Sequence, residues 1–174
     1  MKAVFDPTVY ENLKVIVEGA VYDLDLEGPL TVKSRADNVD LASFSRLYEV
    51  VFQHEEAPGI SAKLSLHADV ESFTDEVIHQ KEQAGCNLSI SFYTGQKHVE
   101  TCGLIEKKLE KIWSGRPKIT QKLSFIYQSE NMYQNLIIIN FGRRITEDQI
   151  DDIPSLLEHT MESLKGISKI IKED

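Results

Sequence analysis

The chain has 174 residues, enough for one well-buried core, and its 41% hydrophobic and 27% charged content is that of an ordinary globular protein. A formal net charge of −9 speaks against general nucleic-acid binding, which needs clustered lysine and arginine, and no apolar run reaches the ~18 residues of a membrane-spanning helix. The start, MKAVFDPTVYEN, has no apolar signal-peptide core, and the only cysteines, Cys86 and Cys102, read as free thiols, so the expectation is a single cytoplasmic domain over 1–174.

In chain order, Thr8 and Glu11 have capping-box spacing behind Pro7. Val9, Leu13, Ile16, Val17, Ala20 and Leu24 then repeat at helical spacing. Gly19 and the alternation Ala20-Tyr22-Leu24-Leu26 predict that the helix ends near residue 18 and a strand follows. Residues 27–44 are polar and predict a long connection with one short strand. Leu47–Phe52 and the alternating Ile60, Ala62, Leu64 and Leu66 predict a hairpin, turned by Glu55-Glu56-Ala57-Pro58-Gly59.

A helix is predicted from Val70 to Ala84, with Gly85 ending it. Leu88, Ile90 and Phe92 mark a strand, and Lys97 to Trp113 a helix closed by Ser114-Gly115-Arg116-Pro117. A second hairpin pairs the face Ile119, Gln121, Leu123, Phe125 and Tyr127 with a return strand at Leu136–Phe141. Pro154 would clash inside a continuous helix, so a short turn at 146–152 precedes the main helix. Ile150, Ile153, Leu157, Thr160, Leu164, Ile167 and Ile171 give that helix a core face, widened by Leu156, Met161 and Ile170.

Hairpin followed by helix thus occurs twice, at 45–84 and 118–172. The predicted fold class is α+β: two layers, a mainly antiparallel sheet, helices packed on one face. The strand Leu136–Phe141 is apolar on both faces, which asks for cover from helices on one side and a partner subunit on the other.

Charge is uneven. Lys107, Lys108, Lys111, Arg116, Lys118, Lys122, Arg143 and Arg144 face only Glu110 and Glu130 within 107–144, so that segment carries +6 and the rest −15. The simplest expectation is that this stretch pairs with acidic parts of its own chain or of a partner subunit.

The junction Phe141-Gly142-Arg143-Arg144 into Thr146-Glu147-Asp148-Gln149 carries the clearest local signal. Thr146 and Gln149 have capping-box spacing, and Glu147, Asp148, Asp151 and Asp152 crowd carboxylates at the positive end of the helix dipole. An anion would be repelled there, so the junction is read as a structural hinge, with Arg143 and Arg144 pairing with those carboxylates. Phe141-Gly142-Arg143, Thr146-Glu147-Asp148 and Ile150-Asp151 resemble the C-terminal subdomain of cysteine desulfurases, pyridoxal-phosphate enzymes of aminotransferase class V. The resemblance is confined to 135–151. That family's substrate-binding arginine would fall near Ile138, which is uncharged, and the chain lacks length for the large cofactor domain. It implies a shared strand-to-helix junction and no activity.

His98, Cys102 and Glu106 stand at i, i+4 and i+8, the spacing of a thiol or metal constellation. Val99, Cys102, Ile105, Leu109, Ile112 and Trp113 also form an apolar stripe, which predicts instead that Cys102 is a buried, inert core residue. No nucleotide-binding, kinase or nucleophile-elbow motif is present, and no metal or cofactor is expected. The sequence therefore leads to a protein acting by association as a homodimer, without nucleic acid, membrane or catalysis. The alternative is a small enzyme or binder that holds an anionic ligand with Arg116, Arg143 and Arg144.

Overall fold

The computed structural model describes residues 8–79, 84–128 and 132–174. Six strands, β1 (Leu30–Asp40), β2 (Ser45–His54), β3 (Ser61–Ala68), β4 (Gly85–Gln96), β5 (Lys118–Ser124) and β6 (Tyr133–Thr146), form one sheet in the order β1-β2-β3-β4-β6-β5. Every neighbouring pair is antiparallel. Helices α1 (Thr8–Glu27), α3 (Thr101–Ile112) and α4 (Ile153–Lys172) supply the second layer, and the short α2 (Val70–Val77) joins β3 to β4. The two-layer α+β class and both hairpin–helix units, β2-β3-α2 and β5-β6-α4, are as the sequence predicts.

The core lies on one face of the sheet because the strand pleat alternates side chains between faces. Tyr48, Val50 and Phe52 of β2, Leu64 and Leu66 of β3, Ile90 and Phe92 of β4, and Ile137 and Ile139 of β6 are all buried there. Against them α1 sets Tyr10, Leu13, Val17 and Val21, α3 sets Ile105 and Leu109, and α4 sets Leu157, Leu164 and Ile167. The helices α3 and α4 touch closely at Gly166, where an added Cβ would stand 2.8 Å from Lys108 Cε.

Several elements differ from expectation: β5 ends at Ser124, so Phe125 and Tyr127, expected within the strand, lie beyond it and are exposed. Helix α1 runs through Gly19 to Glu27, so Ala20-Tyr22-Leu24-Leu26 is helical and not a strand. Its core face continues through Val17 and Val21, a spacing that outweighs the two-residue alternation. The polar stretch after it is mostly one long edge strand, β1, whose residues are largely exposed. An edge strand has one neighbour and little to bury, so it carries no hydrophobic alternation. Helix α2 is described only to Val77; the rest of the predicted span to Ala84 includes 80–83, which lie outside the described residues.

The N-terminus of α1 is also capped from a distance. Glu76 of α2 accepts from Thr8 N–H at 2.8 Å and Val9 N–H at 3.3 Å, in place of the local box expected from Glu11. Glu11 is drawn instead into a charged network that ties α1 to the β1–β2 edge. It contacts Arg46 at 2.9 Å and Lys14 at 2.7 Å, while Asp37 of β1 takes Lys14 at 2.8 Å, Arg46 at 3.0 Å and the Tyr10 hydroxyl at 2.9 Å. The Arg46 guanidinium lies 4.8 Å from the centre of the Tyr10 ring.

Burial alone would raise the Asp37 pKa, but hydrogen bonds from Lys14, Tyr10 and Arg46 outweigh it and hold the carboxyl below its ordinary 3.8. A depressed folded-state pKa adds stability above the ordinary value, and that stability is lost as pH falls through the folded one. Asp37→Asn should therefore destabilise the protein by about 1 kcal/mol at neutral pH. In chemical denaturation the gap between wild type and variant should persist to pH 4 and close below about 3.8.

Candidate functional site

The site begins where β6 loses a neighbour. Strand β5 starts at Lys118 opposite Asn140, so Phe141–Thr146 pairs with β4 alone. The β4–β6 register also slips here: between the pairs Ser89↔Asn140 and Asn87↔Arg144, β4 supplies only Leu88 while β6 supplies Phe141, Gly142 and Arg143. Gly142 takes up the extra length at φ +66°, a conformation costly for other residues, and its N–H donates to Asn140 Oδ1 at 2.8 Å.

The bulge, the turn after α3 and the start of α4 enclose a cleft of about 370 Å³. Its walls are apolar: Leu88, Phe141, Ile145, Ile153 and Leu156. Trp113 anchors one side through its indole N–H, which donates to Ser163 Oγ at 3.0 Å. Its ring meets Phe141 edge-on at 5.5 Å between centroids and His159 at 5.3 Å, so three rings line one wall. Arg116, Arg143, Arg144 and Asp152 also line it, with Arg116, Arg143 and Asp152 exposed.

The three arginines are not equivalent. Arg144 leaves for α2, where it contacts Glu71 at 2.8 Å, Asp69 at 3.2 Å and Asp75 at 3.4 Å. This corrects the expected pairing with Glu147, Asp148, Asp151 and Asp152: the carboxylates that neutralise Arg144 are some seventy residues away in sequence. Arg143 and Arg116 are exposed and make no ion pair among the described residues. The junction itself is capped as predicted. A capping box forms over the 3-10 turn Glu147–Asp152, with Thr146 N–H donating to Gln149 Oε1 at 3.2 Å, and α4 starts at Ile153 with Pro154 in its first turn.

His159 Nδ1 lies 2.6 Å from the Ser155 carbonyl oxygen, which can only accept, so the proton sits on Nδ1 and Nε2 is the accepting nitrogen of the neutral ring. The Ser155 hydroxyl is 3.5 Å from the same Nδ1. With that nitrogen committed to the carbonyl, the two are not a nucleophile–base pair.

A second cleft, between α1 and α4, has the opposite character. Asp23, Glu27, Glu158 and Glu162 surround an apolar floor of Leu24, Leu157 and Met161. Among the described residues no three His, Cys, Asp or Glu side chains are placed to hold a metal ion.

His98, Cys102 and Glu106 are not brought together on one helix. Helix α3 starts at Thr101, leaving His98 in the preceding turn, and its buried stripe is Thr101, Ile105, Leu109 and Ile112. Cys102 sits beside that stripe in the first turn and is half-buried, which corrects the expectation of a fully buried core thiol. Its neighbours are amides. Gln96 Nε2 lies 3.3 Å from Cys102 Sγ and Asn135 Nδ2 3.8 Å; Asn135 Nδ2 also donates to Gln96 Oε1 at 2.7 Å and Gln121 Oε1 at 2.9 Å. None of these amides was singled out from the sequence. The available signal was Gln121, a polar residue breaking the alternation of Ile119 and Leu123 on a core-facing strand.

The sequence matches no protein-family model and no characterised protein.

Thr146→Ala should remove one cap and cost about 1 kcal/mol in thermal or urea unfolding. Arg144→Gln should cost about 1.5 kcal/mol by removing the ion pairs to Asp69, Glu71 and Asp75, whereas Arg143→Gln should change stability by less than about 0.5 kcal/mol. Equal costs for the two arginines would contradict the division of roles described above.

Proposed function

We propose that the protein binds a small amphipathic anion in the cleft at the β6 bulge. The observation that carries this reading is the convergence of two uncompensated arginines, Arg116 and Arg143, on an apolar cavity walled by Trp113, Phe141 and His159. Its volume, about 370 Å³, falls within the range of about 300–1,000 Å³ for small-molecule sites. Arginine suits the role because its guanidinium pairs with carboxylate or phosphate in a two-point fork and stacks on rings. Asp152 and the capped helix start argue against a multiply charged ligand bound deep in the site. The ligand chemistry that fits is one acidic group at the rim and an aromatic or branched apolar body against the rings. The role is binding, since the nearest hydroxyl–imidazole pair, Ser155 and His159, is spent on a helix carbonyl.

Phenyl phosphate is a suitable probe. It should raise the melting temperature saturably through preferential binding to the folded state, while phenol and inorganic phosphate each do so less. The increment should vanish in the Arg116→Gln/Arg143→Gln double variant. An equal increment in that variant, or none at millimolar probe, overturns the reading.

A second reading, association into a homodimer, is supported by the uncovered face of the sheet. Leu136 and Ile138 of β6 project there, opposite Tyr93 and Ser91 of β4, with Val51 of β2 on the same face two strands beyond β4, at register positions opposite to the helix-covered core. Ser61, Ser65, Ser89 and Ser91 leave low ground at the centre of this face, and Lys63 among them is neutralised by Glu49 at 2.7 Å. The occupant that satisfies this surface is a second copy of the chain. Light scattering at micromolar concentration should give twice 19.8 kDa, and a mass near 19.8 kDa rules this reading out.

A further inference from the structure

At the other end of β6, the surroundings of Cys102 combine three features. The thiol stands in the first turn of α3, whose N-terminus has no side-chain cap. One amide N–H donor, from Gln96, faces the sulfur at 3.3 Å, and the Asn135 carboxamide lies beside it, with Nδ2 3.8 Å from the sulfur and both its hydrogens given to Gln96 Oε1 and Gln121 Oε1. Gln96 is 1% exposed and Asn135 2% exposed, so these amides are built into the core and are not adjustable surface groups. The third feature is an unmet acceptor: Asn135 Oδ1, on the carboxamide whose Nδ2 lies 3.8 Å from the sulfur, is buried with no hydrogen-bond partner among the described residues. A buried unpaired acceptor costs about 1–3 kcal/mol, so its presence beside a half-buried thiol needs a reason.

We propose that Cys102 is an oxidation site at which a hydroperoxide forms a sulfenic acid that this amide cradle stabilises. A sulfur lone pair attacks one peroxide oxygen and the O–O bond breaks. The departing hydroxide takes the thiol proton and leaves as water, so Cys–SH and HOOH give Cys–SOH and H2O. Sulfur is oxidised by two electrons and the peroxide is reduced by two. The product has what the thiol lacks, a strong O–H donor and a hydroxyl oxygen. Asn135 Oδ1 accepts from the O–H, and the Gln96 N–H that faces the sulfur donates to the oxygen. Gln121 holds the cradle in register, since its Nε2 donates to the Cys102 carbonyl at 2.8 Å while its Oε1 accepts from Asn135.

The sulfenic acid has no thiol partner within the chain. Cys86 is the only other cysteine, and it faces Ile145 at the opposite end of β4. At ~3.3 Å per residue that places it about 33 Å from Gln96. Burial pushes the Cys86 thiol up to about 12, so it stays protonated and serves as an internal control. The oxidised form is therefore expected to persist until an external thiol reduces it.

The test is to treat the native protein with hydrogen peroxide, trap sulfenic acid with a cyclic 1,3-dione and locate the adduct by mass spectrometry. The adduct is expected on Cys102 and not on Cys86, in higher yield than on the urea-unfolded chain. Gln96→Met and Asn135→Leu should each reduce the yield at least by half, with circular dichroism confirming the fold. Should Asn135→Leu fail to fold, Gln96→Met together with the comparison of native and unfolded wild type decides. Equal labelling of both cysteines, a native yield no higher than in urea, direct passage to sulfinic acid without a trapped intermediate, or unchanged yield in the folded variants overturns the proposal.

Discussion

Asn140 is where β6 stops having two neighbours, and much of the molecule follows from that loss. Up to Asn140 the strand is held between β4 and β5 and its inward residues, Ile137 and Ile139, are fully buried. Beyond it only β4 remains, so the strand can bulge without breaking a second ladder. Gly142 absorbs the extra length, the strand resumes its pleat with Ile145 facing Cys86 in the core, and Arg144 is released toward α2. A strand paired on both sides could not have opened a cleft at this point without leaving unpaired backbone groups in the core.

The same strand explains why charge and packing are separated so sharply. Arg144 is neutralised by three carboxylates, Asp69 and Glu71 at the N-terminal end of α2, where acidic side chains also complement the helix dipole, and Asp75 further along it. That arrangement serves structure twice, fixing α2 and leaving the cleft rim to Arg116 and Arg143. At the opposite edge of the sheet, Asp37 and Glu11 gather Lys14 and Arg46 under α1. The fold thus uses short-range ion networks to hold its peripheral elements, while the central layer relies mainly on apolar burial.

How far the sequence reveals this depends on where each residue's partner lies. Strands β2, β3 and β4 and helix α4 were legible because their periodicity is set by a single buried face. The capping box at Thr146 and Gln149 was legible because it is local. Strand β1 was largely hidden, since an edge strand presents polar residues on both faces, and the end of α1 was obscured by an accidental two-residue alternation. The partners of Arg144 and the amides around Cys102 were illegible for a different reason. They converge from positions tens of residues apart, and no spacing rule encodes a contact made only by tertiary packing. For the candidate sites, the sequence showed the arginines but not which two were free, and showed Cys102 but not its exposure.

The two proposed sites share one strand and yet stand or fall separately. Asn135 and Arg143 are eight residues apart on β6, roughly 25 Å at ~3.3 Å per residue. Between them lie Ile137 and Ile139, buried and locked in register by β4 and β5. A close-packed ladder of this kind resists continuous deformation, so coupling between the ends would require a second arrangement of the strand. Both ends are instead pinned in the arrangement observed, one by Asn135, Gln96 and Gln121, the other by Arg144 and its carboxylates. Substitutions so far apart with no shared partner combine additively. Loss of Arg116 and Arg143 should therefore leave Cys102 oxidation unchanged, as loss of Gln96 should leave ligand binding unchanged, so failure of either proposal would leave the other intact.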